Sequence, residues 1–417
     1  MEVRIKIPYI ITVAVSLLLL LIGNRFATSG LFIFQDFSQE IVRARVISIV
    51  DRLERNFDFL NPHLDFSDDD FIFDDDFFND HFFEEDYFDN FELSDTFFAM
   101  VPGEIIVFEA QVTRGIRRGQ TITAEQSFSP VLIDRIREVR PGDTILLVNN
   151  QAGWFFGGYV RTTGLLVLGI LFAACVLFLG RKKGFNTLLS LGFTFAAIFA
   201  VFIPAILSGK NIYLMSILVC VYTIAMTLLI VIGFNKKSLA SVAGCTGGVM
   251  AAGIIALVMD RVLMLTGIVD EHSRFLINLP GDIQLNLNAV IFAGIIIGAM
   301  GAIMDVAISI SSSLWEIQDK AKIIKNKELF RSGLNIGRDI MGSMANTLIL
   351  AYIGSSLSVV LLLSVFSGSF LDLFNSEMIA VEILQALAGS FGILLAIPLT
   401  SFFCSLFYLK KDDIMKS

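Results

Sequence analysis

Long apolar runs separated by short polar segments make up most of the chain. Eight of these runs reach the roughly 17–25 residues that a helix needs to cross the hydrocarbon core of a bilayer. The pattern therefore predicts an all-α polytopic membrane bundle of about eight transmembrane helices. The runs lie near residues 7–23, 163–180, 185–206, 212–234, 239–259, 287–310, 340–366 and 379–408.

The apolar runs divide the chain into four predicted parts. Residues 1–23 lack a clear small-residue cleavage site after their apolar stretch, so we interpret them as a retained transmembrane anchor rather than a cleaved signal. Residues 24–162 form a long segment outside the membrane. Residues 163–410 form the main transmembrane domain, and residues 411–417 form a cytoplasmic tail.

The outer segment has the alternation of β structure near both of its ends. Val42, Ala44 and Val46 alternate with two arginines, which is the period of a half-buried strand. We expect a small extracytoplasmic β-barrel or sandwich, which offers no pairing of a nucleophile with a base. Further strand-like runs lie at residues 104–113, 121–128 and 144–149.

An acidic, phenylalanine-rich insert at about residues 56–98 interrupts this β-rich domain. Residues 58–95 carry 12 Asp and 3 Glu, and removing these acids would change the formal net charge of the chain from −9 to +6. Repulsion between so many like charges predicts a disordered insertion. The 13 phenylalanines at 57–98 keep open a contact with a protein partner. Calcium binding is a further alternative, although the glycine-turned loop of an EF-hand is missing.

Composition and charge distribution agree with a membrane protein. Hydrophobic residues make up 55% of the chain, and the mean hydropathy is +0.74. If the N-terminus is cytoplasmic, the inner segments carry 16 Lys and Arg, against three in the short outer loops. Because basic residues are retained on the inner side of a membrane, we expect both termini in the cytoplasm.

A polar stripe crosses the sixth apolar run. Its members recur at alternating steps of four and three, a spacing that puts them on one face of a helix. We expect its glycines to pack against another helix, and its carboxylates to face the bundle or a watery cavity, because a charge is costly at membrane depth. The stripe contains Gly294, Gly298, Gly301, Asp305, Ser309, Ser312 and Glu316.

Two similar stripes occur in the last two runs. The orientation above puts Asp305 and Asp339 in the inner part of the bilayer and Glu382 near its outer surface, so the three stripes together predict a polar route across the membrane. The alternative is that the small residues serve only close helix packing. The members are Asp339, Gly342, Ser343 and Asn346 in the seventh run, and Glu382, Gln385, Gly389, Gly392 and Ala396 in the eighth.

The sequence gives little support to an enzyme. Its four cysteines stand singly in apolar runs, so neither a disulfide framework nor a thiolate metal site is indicated. The glycine-rich segment 244–248 lacks the Gly-Lys-Ser/Thr ending of a P-loop, and we interpret it as a helix contact. Motifs for metalloproteases, serine hydrolases or nucleic-acid binding do not occur. We therefore expect no metal, no cofactor and no nucleic-acid partner.

Two segments separated by a basic loop resemble the signature of the YibE/F family of bacterial multi-pass membrane proteins. They are GAIMDVAISISSSLWEI at 301–317 and GRDIMGSMANTLILAYIGSSL at 337–357. The resemblance covers about residues 163–410 and implies a bacterial plasma membrane and a permease-like architecture, without naming a substrate. A fainter similarity links the chain to the resistance-nodulation-division superfamily, whose members use membrane carboxylates for proton coupling.

The leading hypothesis is a secondary transporter or permease coupled to protons or cations, with a small solute or ion as its substrate. In it Asp305 binds the coupling ion, and Asp339 and Asn346 complete the inner site. Glu382 and Gln385 form the outer part of the route. The alternative is a non-transporting accessory or scaffold protein whose outer domain binds a protein partner. Both leave the oligomeric state open. The candidate coupling residues are Asp305, Ser309, Ser312, Glu316, Asp339, Asn346, Glu382 and Gln385.

Single cysteines in a cysteine-free background test the predicted orientation. Because the basic residues concentrate on the predicted inner side, Gly30→Cys and Phe370→Cys should react with an impermeant maleimide added to intact cells. Lys183→Cys, Lys325→Cys and Asp413→Cys should react only after the cells are permeabilised. Labelling of Lys325→Cys from outside would overturn the orientation.

Overall fold

The structure, a computed structural model, divides into two compact units. One comprises Met1–Gln35 with Leu171–Ser417, and the other comprises Asp36–Ile170. The predicted insert at about residues 56–98 lies outside the described residues. The structure describes residues 2–28, 40–55, 103–128, 137–150, 153–269, 271–277, 285–320, 325–366 and 369–408.

Five strands close into a small barrel in the second unit. They are β1 (Glu40–Arg55), β2 (Gly103–Val112), β3 (Thr121–Ser127), β4 (Thr144–Asn150) and β5 (Gly153–Tyr159). Their order around the barrel is β1-β2-β3-β5-β4, and neighbours are antiparallel except for β3 and β5. This is the strand order of the five-stranded Greek-key barrel known as the OB-fold. The predicted small β domain is thus confirmed as a barrel.

Alternating side chains fill the barrel. Along β3, Ile122, Ala124 and Gln126 point inward while the residues between them are exposed. Gln126 is tolerated in the core because its amide is satisfied on both sides, donating to the Arg137 carbonyl at 3.1 Å and accepting from the Val139 amide at 2.9 Å. These two hydrogen bonds attach the segment before β4 to the barrel.

The fifth strand was absent from the sequence prediction. Its sequence, Gly-Trp-Phe-Phe-Gly-Gly-Tyr, has aromatic residues that favour a strand and three glycines that disfavour one. Gly157 is needed because a Cβ there would lie 2.5 Å from a methyl group of Val148, and Gly158 has a φ of 130°. The glycines therefore serve the close fit of β5 against β4, and do not mark a loop.

Arg117, in the loop after β2, ties the ends of two strands together. Its guanidinium donates two hydrogen bonds to the Glu40 carboxylate, at 2.7 and 3.1 Å, and lies 5.7 Å from the centre of the Trp154 ring. The hydrogen bond from Arg117 lowers the pKa of Glu40 below its usual value. The pair therefore stabilises the barrel above the ordinary pKa of a glutamate and loses this contribution as the pH falls through the lower folded pKa.

The other unit is helical, and most of its helices are apolar. Among the described residues, six helices are long and apolar enough to cross a membrane, or seven if α8 and α9, which meet at an angle of 60°, form one broken span. The helices are α1 (Glu2–Thr28), α2 (Thr162–Ala197, continuing through a π-helical turn at Ile198–Phe202), α3 (Ile203–Leu207), α4 (Ile212–Ile232), α5 (Lys236–Val262), α6 (Glu271–Ile277), α7 (Leu287–Lys320), α8 (Asn326–Ser355), α9 (Leu357–Phe366), α10 (Phe370–Asn375) and α11 (Glu377–Phe407).

The longest helical stretch, Thr162–Leu207, is interrupted at Arg181. Its 46 residues would measure about 69 Å as a straight helix, more than twice the hydrocarbon core. Arg181 has a φ of 47° and a ψ of −122°, and a Cβ on Gly184 would meet the carbonyl of Val176. Eight residues of straight helix would keep these two groups about 12 Å apart, so the chain folds back at Arg181. The break falls between the predicted runs 163–180 and 185–206, while the total of eight spans stays a prediction.

Helices α5, α7 and α11 form the centre of the helical unit through glycine contacts. A Cβ on Gly248 would lie 2.8 Å from both Ala396 and Ile303 and 2.9 Å from the Gly392 carbonyl. A Cβ on Gly244 would likewise overlap Thr400 of α11. The segment 244–248 is therefore a helix contact, as its apolar surroundings indicated, and the absence of side chains lets the backbones approach closely.

Replacing Gly248 by alanine tests this contact. The added methyl group has no room and should destabilise the protein by about 1–3 kcal/mol, the usual cost of overpacking. Gly192→Ala is the matched control, because no atom among the described residues lies within 4 Å of a Cβ there. Removing a helical glycine should stabilise that variant by about 0.5–1 kcal/mol. Thermal melting in detergent compares the two, and equal melting temperatures would contradict the contact.

Candidate functional site

The polar stripe of α7 faces away from the centre of the helical unit. Ile296, Ile303 and Ile310 are at most 1% exposed and form the opposite, buried face. Within one chain the stripe therefore does not face the bundle, except at Gly298, which packs against Tyr352. The other expectation, that its carboxylates face a watery cavity, stays a prediction. The exposed members are Gly294, Gly298, Gly301, Asp305, Ser309 and Glu316, and Ser312 is partly exposed.

The polar stripe of α8 also faces outward. Asp339, Gly342, Ser343 and Asn346 are exposed, whereas the buried side of the helix carries Gly333, Gly337 and Leu348. The sequence therefore identified the face of each helix correctly but not its direction. The stripes of α7 and α8 together form the outward polar face.

Two contacts fix how α7 and α8 lie against each other. A Cβ on Gly333 would lie 3.0 Å from Leu314, and one on Gly298 would meet the hydroxyl of Tyr352. The helices are therefore antiparallel. Two residues are called level when they lie at the same height along the helix axes, and these heights can be interpolated between the two contacts. To within about one helical turn, Asp305 is level with Ser343, Ser309 with Asp339, and Gly301 with Asn346.

The polar groups of the outward polar face have few partners of their own. Among the described residues, neither Asp305 nor Asp339 forms a hydrogen bond or an ion pair. The Ser343 hydroxyl donates to the Ile340 carbonyl at 3.0 Å, and the Ser343 backbone carbonyl accepts from the Thr347 hydroxyl at 2.8 Å. Each carboxylate is level with a serine on the neighbouring helix, so the face offers hard oxygen atoms at two depths.

Glu316 differs from the other acids of the stripe. Its carboxylate accepts a hydrogen bond from Lys320 at 2.6 Å, one turn further along α7. Both side chains are more than 60% exposed, and Lys320 is the last residue of the helix. Glu316 is thus part of a surface ion pair at the helix end, whereas Asp305 lies in the interior of the helix without such a partner.

The third stripe, on α11, faces the interior of the unit instead. Gly389 packs against Leu348 and Ala299, and Gly392 packs against Ile303 and Ala252. These two glycines are helix contacts, as predicted. Among the described residues, by contrast, no atom lies within 4 Å of a Cβ placed on Gly294, Gly301 or Gly342, so these glycines have no packing partner within one chain.

Glu382 and Gln385 are half-buried near the start of α11. Glu382 lines a cavity of about 180 Å³ together with Tyr352 and Ser356. This cavity lies at the break between α8 and α9, which Ser356 separates. The Tyr352 hydroxyl is buried and finds no hydrogen-bond partner among the described residues. Sequence reasoning missed Tyr352 and Ser356. The signal that could have found them is the run Gly354-Ser355-Ser356, because Gly/Ser pairs are common sites of helix kinks.

A second cavity was not predicted from the sequence either. Its volume is about 620 Å³, and α1, α2 and α4 line it. At its wall the Tyr9 hydroxyl donates to the Asn186 side chain at 3.0 Å, and the Asn186 amide donates to the Ile230 carbonyl at 3.2 Å. These bonds join the predicted N-terminal anchor to the rest of the helical unit. Within the described residues, no group of three His, Cys, Asp or Glu side chains could hold a metal ion.

The long apolar helices define a polytopic membrane protein. The chain belongs to the YibE/F-like protein family, whose family model matches residues 168–410, more than half of its length. All three polar stripes lie inside the matched residues, and the barrel lies outside them. Neither a curated protein nor a solved structure matches the chain. The predicted family is thus confirmed, while the similarity to the resistance-nodulation-division superfamily stays an analogy.

A double-mutant cycle tests the contact that sets the level of α7 against α8. Gly298→Ala should destabilise the protein because its methyl group meets the Tyr352 hydroxyl. Tyr352→Phe removes that hydroxyl and leaves the ring carbon at an ordinary 3.5 Å, so it should relieve the clash. We expect a coupling free energy of about 1 kcal/mol from unfolding of the four variants in detergent. Additive effects would show that the two residues do not touch.

Proposed function

We propose that this membrane protein is a secondary transporter or permease of the plasma membrane, coupled to protons or cations. The observation that carries the proposal is the carboxylate of Asp305. It lies 18 residues into α7, carries no hydrogen bond or ion pair within the described residues, and is level with the hydroxyl of Ser343. Ionisable groups at such depth are costly and serve most often as binding or relay groups for ions.

The roles follow from the levels of the polar groups. Asp305 binds the coupling proton or cation, with the Ser343 hydroxyl as a second oxygen at the same depth. About one turn further inward, Asp339 and Ser309 form the next pair of oxygen atoms, and Asn346 lies on the outer side of Asp305. A cation passing from one level to the next exchanges carboxylate and hydroxyl oxygens, which are the ligands that hard cations prefer.

The outer part of the proposed route is the cavity at the break between α8 and α9. Glu382 and Tyr352 line it, and Gln385 lies one turn further along α11. Broken helices form the substrate or ion sites of many transporters, because the ends of the half-helices supply unpaired backbone groups and a fixed dipole. The rest of the lining is mostly apolar, so the Glu382 carboxylate and the Tyr352 and Ser356 hydroxyls are its polar groups.

A second candidate is a non-transporting accessory or scaffold protein. It is favoured by one observation, that the stripes of α7 and α8 face outward while Glu382 lies in a cavity elsewhere. In that function the outward polar face holds another membrane component, and the outer domain binds a partner. Ion flux distinguishes the two candidates.

Asp305→Asn in proteoliposomes tests the coupling role. The amide keeps the shape and hydrogen-bonding capacity of the carboxylate but does not ionise, so proton or cation flux should fall to background while the folded yield is kept. Asp305→Glu should retain part of the flux. A structural carboxylate would instead give a neutral or stabilising Asp305→Asn, since removing a charge from membrane depth gains about 2.5–3.5 kcal/mol on insertion scales.

Asp319→Asn supplies the matched control. Asp319 is exposed on the same helix, one residue from its end, and the substitution is chemically identical. Its flux should equal that of the unmodified protein. Full flux in a well-folded Asp305→Asn protein would remove the coupling role, and absence of flux in the unmodified protein under pH and cation gradients would favour the scaffold.

A further inference from the structure

The outward polar face is unfavourable in a single chain within a bilayer. Asp305 is exposed on α7, which is apolar enough to cross a membrane, and Asp339 is exposed on α8, which is apolar enough only when it is joined to α9. On insertion scales a charged side chain at the centre of a lipid-facing helix costs about 2.5–3.5 kcal/mol, which is the upper limit for two carboxylates in the inner part of the bilayer. Another protein surface with hydrogen-bond donors at the right depths would remove most of this cost.

In a two-fold dimer the carboxylates of one copy lie at the same depth as serines of the other copy. A two-fold axis along the membrane normal keeps every residue at its own depth. Packing α7 of one copy on α8 of the other therefore brings Asp305 opposite Ser343, and Asp339 opposite Ser309. Each carboxylate then faces a serine hydroxyl. Ser309 donates no hydrogen bond among the described residues, and Ser343 can turn its proton from the Ile340 carbonyl to the carboxylate of the other copy. Symmetry forms every contact twice. Packing α7 on its own copy would instead bring Asp305 against Asp305, which like charges disfavour.

The glycines of the face leave room for this contact. Gly294 and Gly301 on α7 and Gly342 on α8 have free space where a side chain would extend, measured against the described residues. Small residues on one face allow two helices to approach closely, which strengthens both dispersion and interhelical hydrogen bonds in a membrane. Polar complementarity and free space thus occur together on the outward polar face.

We propose that the protein is a homodimer in which α7 of each copy packs on α8 of the other around a two-fold axis along the membrane normal. The outward polar faces of the two copies enclose a column of carboxylates, hydroxyls and amides on that axis. The assignment of this column as the ion route rests on the proposed function, whereas the contact rests on levels and polar complementarity alone. The site is incomplete in one chain, because each carboxylate obtains its facing donor from the second copy.

Cysteine cross-linking between two differently tagged copies tests the contact. Each copy carries one cysteine in a background without Cys175, Cys220, Cys245 and Cys404. Gly301→Cys should cross-link to Asn346→Cys of the other copy, and Ser312→Cys should cross-link to Asn335→Cys, since these residues are level. The swapped pairs, 301 with 335 and 312 with 346, use the same exposed or partly exposed positions but differ by 11 residues, about 16 Å along a helix.

We expect the level pairs to cross-link in membranes several-fold more than the swapped pairs. Ile254→Cys, which is 58% exposed on α5, should not cross-link to its own copy. Equal yields from level and swapped pairs, or a strong Ile254 product, would overturn the interface. The mass of the unmodified protein in detergent provides a second measurement, in which two chains per particle support the dimer and one chain refutes it.

The two proposals fail in different ways. A cross-linking pattern as expected, without ion flux from the unmodified protein, would remove the transport function and keep the dimer. Flux from a protein with one chain per particle would keep the transport function and remove the dimer. A band of one copy joined to another membrane protein, with no joined copies, would assign the outward polar face to a different partner and overturn the homodimer.

Discussion

Close packing among α5, α7 and α11 determines which way the polar stripe of α7 faces. Gly248 and Gly392 let the backbones of α5 and α11 approach, and Ile303 of α7 fills the space beside them. Once Ile303 and its neighbours at helical spacing are buried, the opposite face of α7 has to point outward. The direction of Asp305 is thus a consequence of glycine contacts on other helices, some of which are far away in sequence.

This dependence explains which parts of the site could be predicted from the sequence. Spacing alone shows that Asp305 and Ser309 share a face, because the period is a local property of the helix. The buried face of α7, with Ile303 and Ile310, has the same period, and an apolar face suits lipid as well as it suits the core of a bundle. The direction of the stripe depends on contacts with α5 and α11, about which one sequence carries no direct signal.

The same reasoning applies to the rest of the fold. Strands β1 to β4 were predicted because every second side chain is buried, as in β3, so that apolar and polar residues alternate in their sequences. Strand β5 was missed because glycine has a low preference for strands. Gly157 is required there by the close approach of Val148 on β4, which the sequence does not show. The break after Ser355 was missed although Gly354, Ser355 and Ser356 stand there, because the prediction relied on the apolar run as a whole and on proline as the mark of a break. Local patterns thus predicted the elements, and non-local packing set the details that matter for function.

The outward direction of the stripes favours a scaffold if the protein is a monomer, and a shared polar column if it is a dimer. In one chain it separates Asp305 from the Glu382 cavity and favours a scaffold. In a two-fold assembly it brings four stripes to a common axis, with each carboxylate facing a hydroxyl. A polar column would then lie between copies, and the dry, glycine-packed centre of each copy would support it without taking part. Such an arrangement would separate stability from function, because α5, α7 and α11 pack on one face of α7 while the proposed ion route lies on the other.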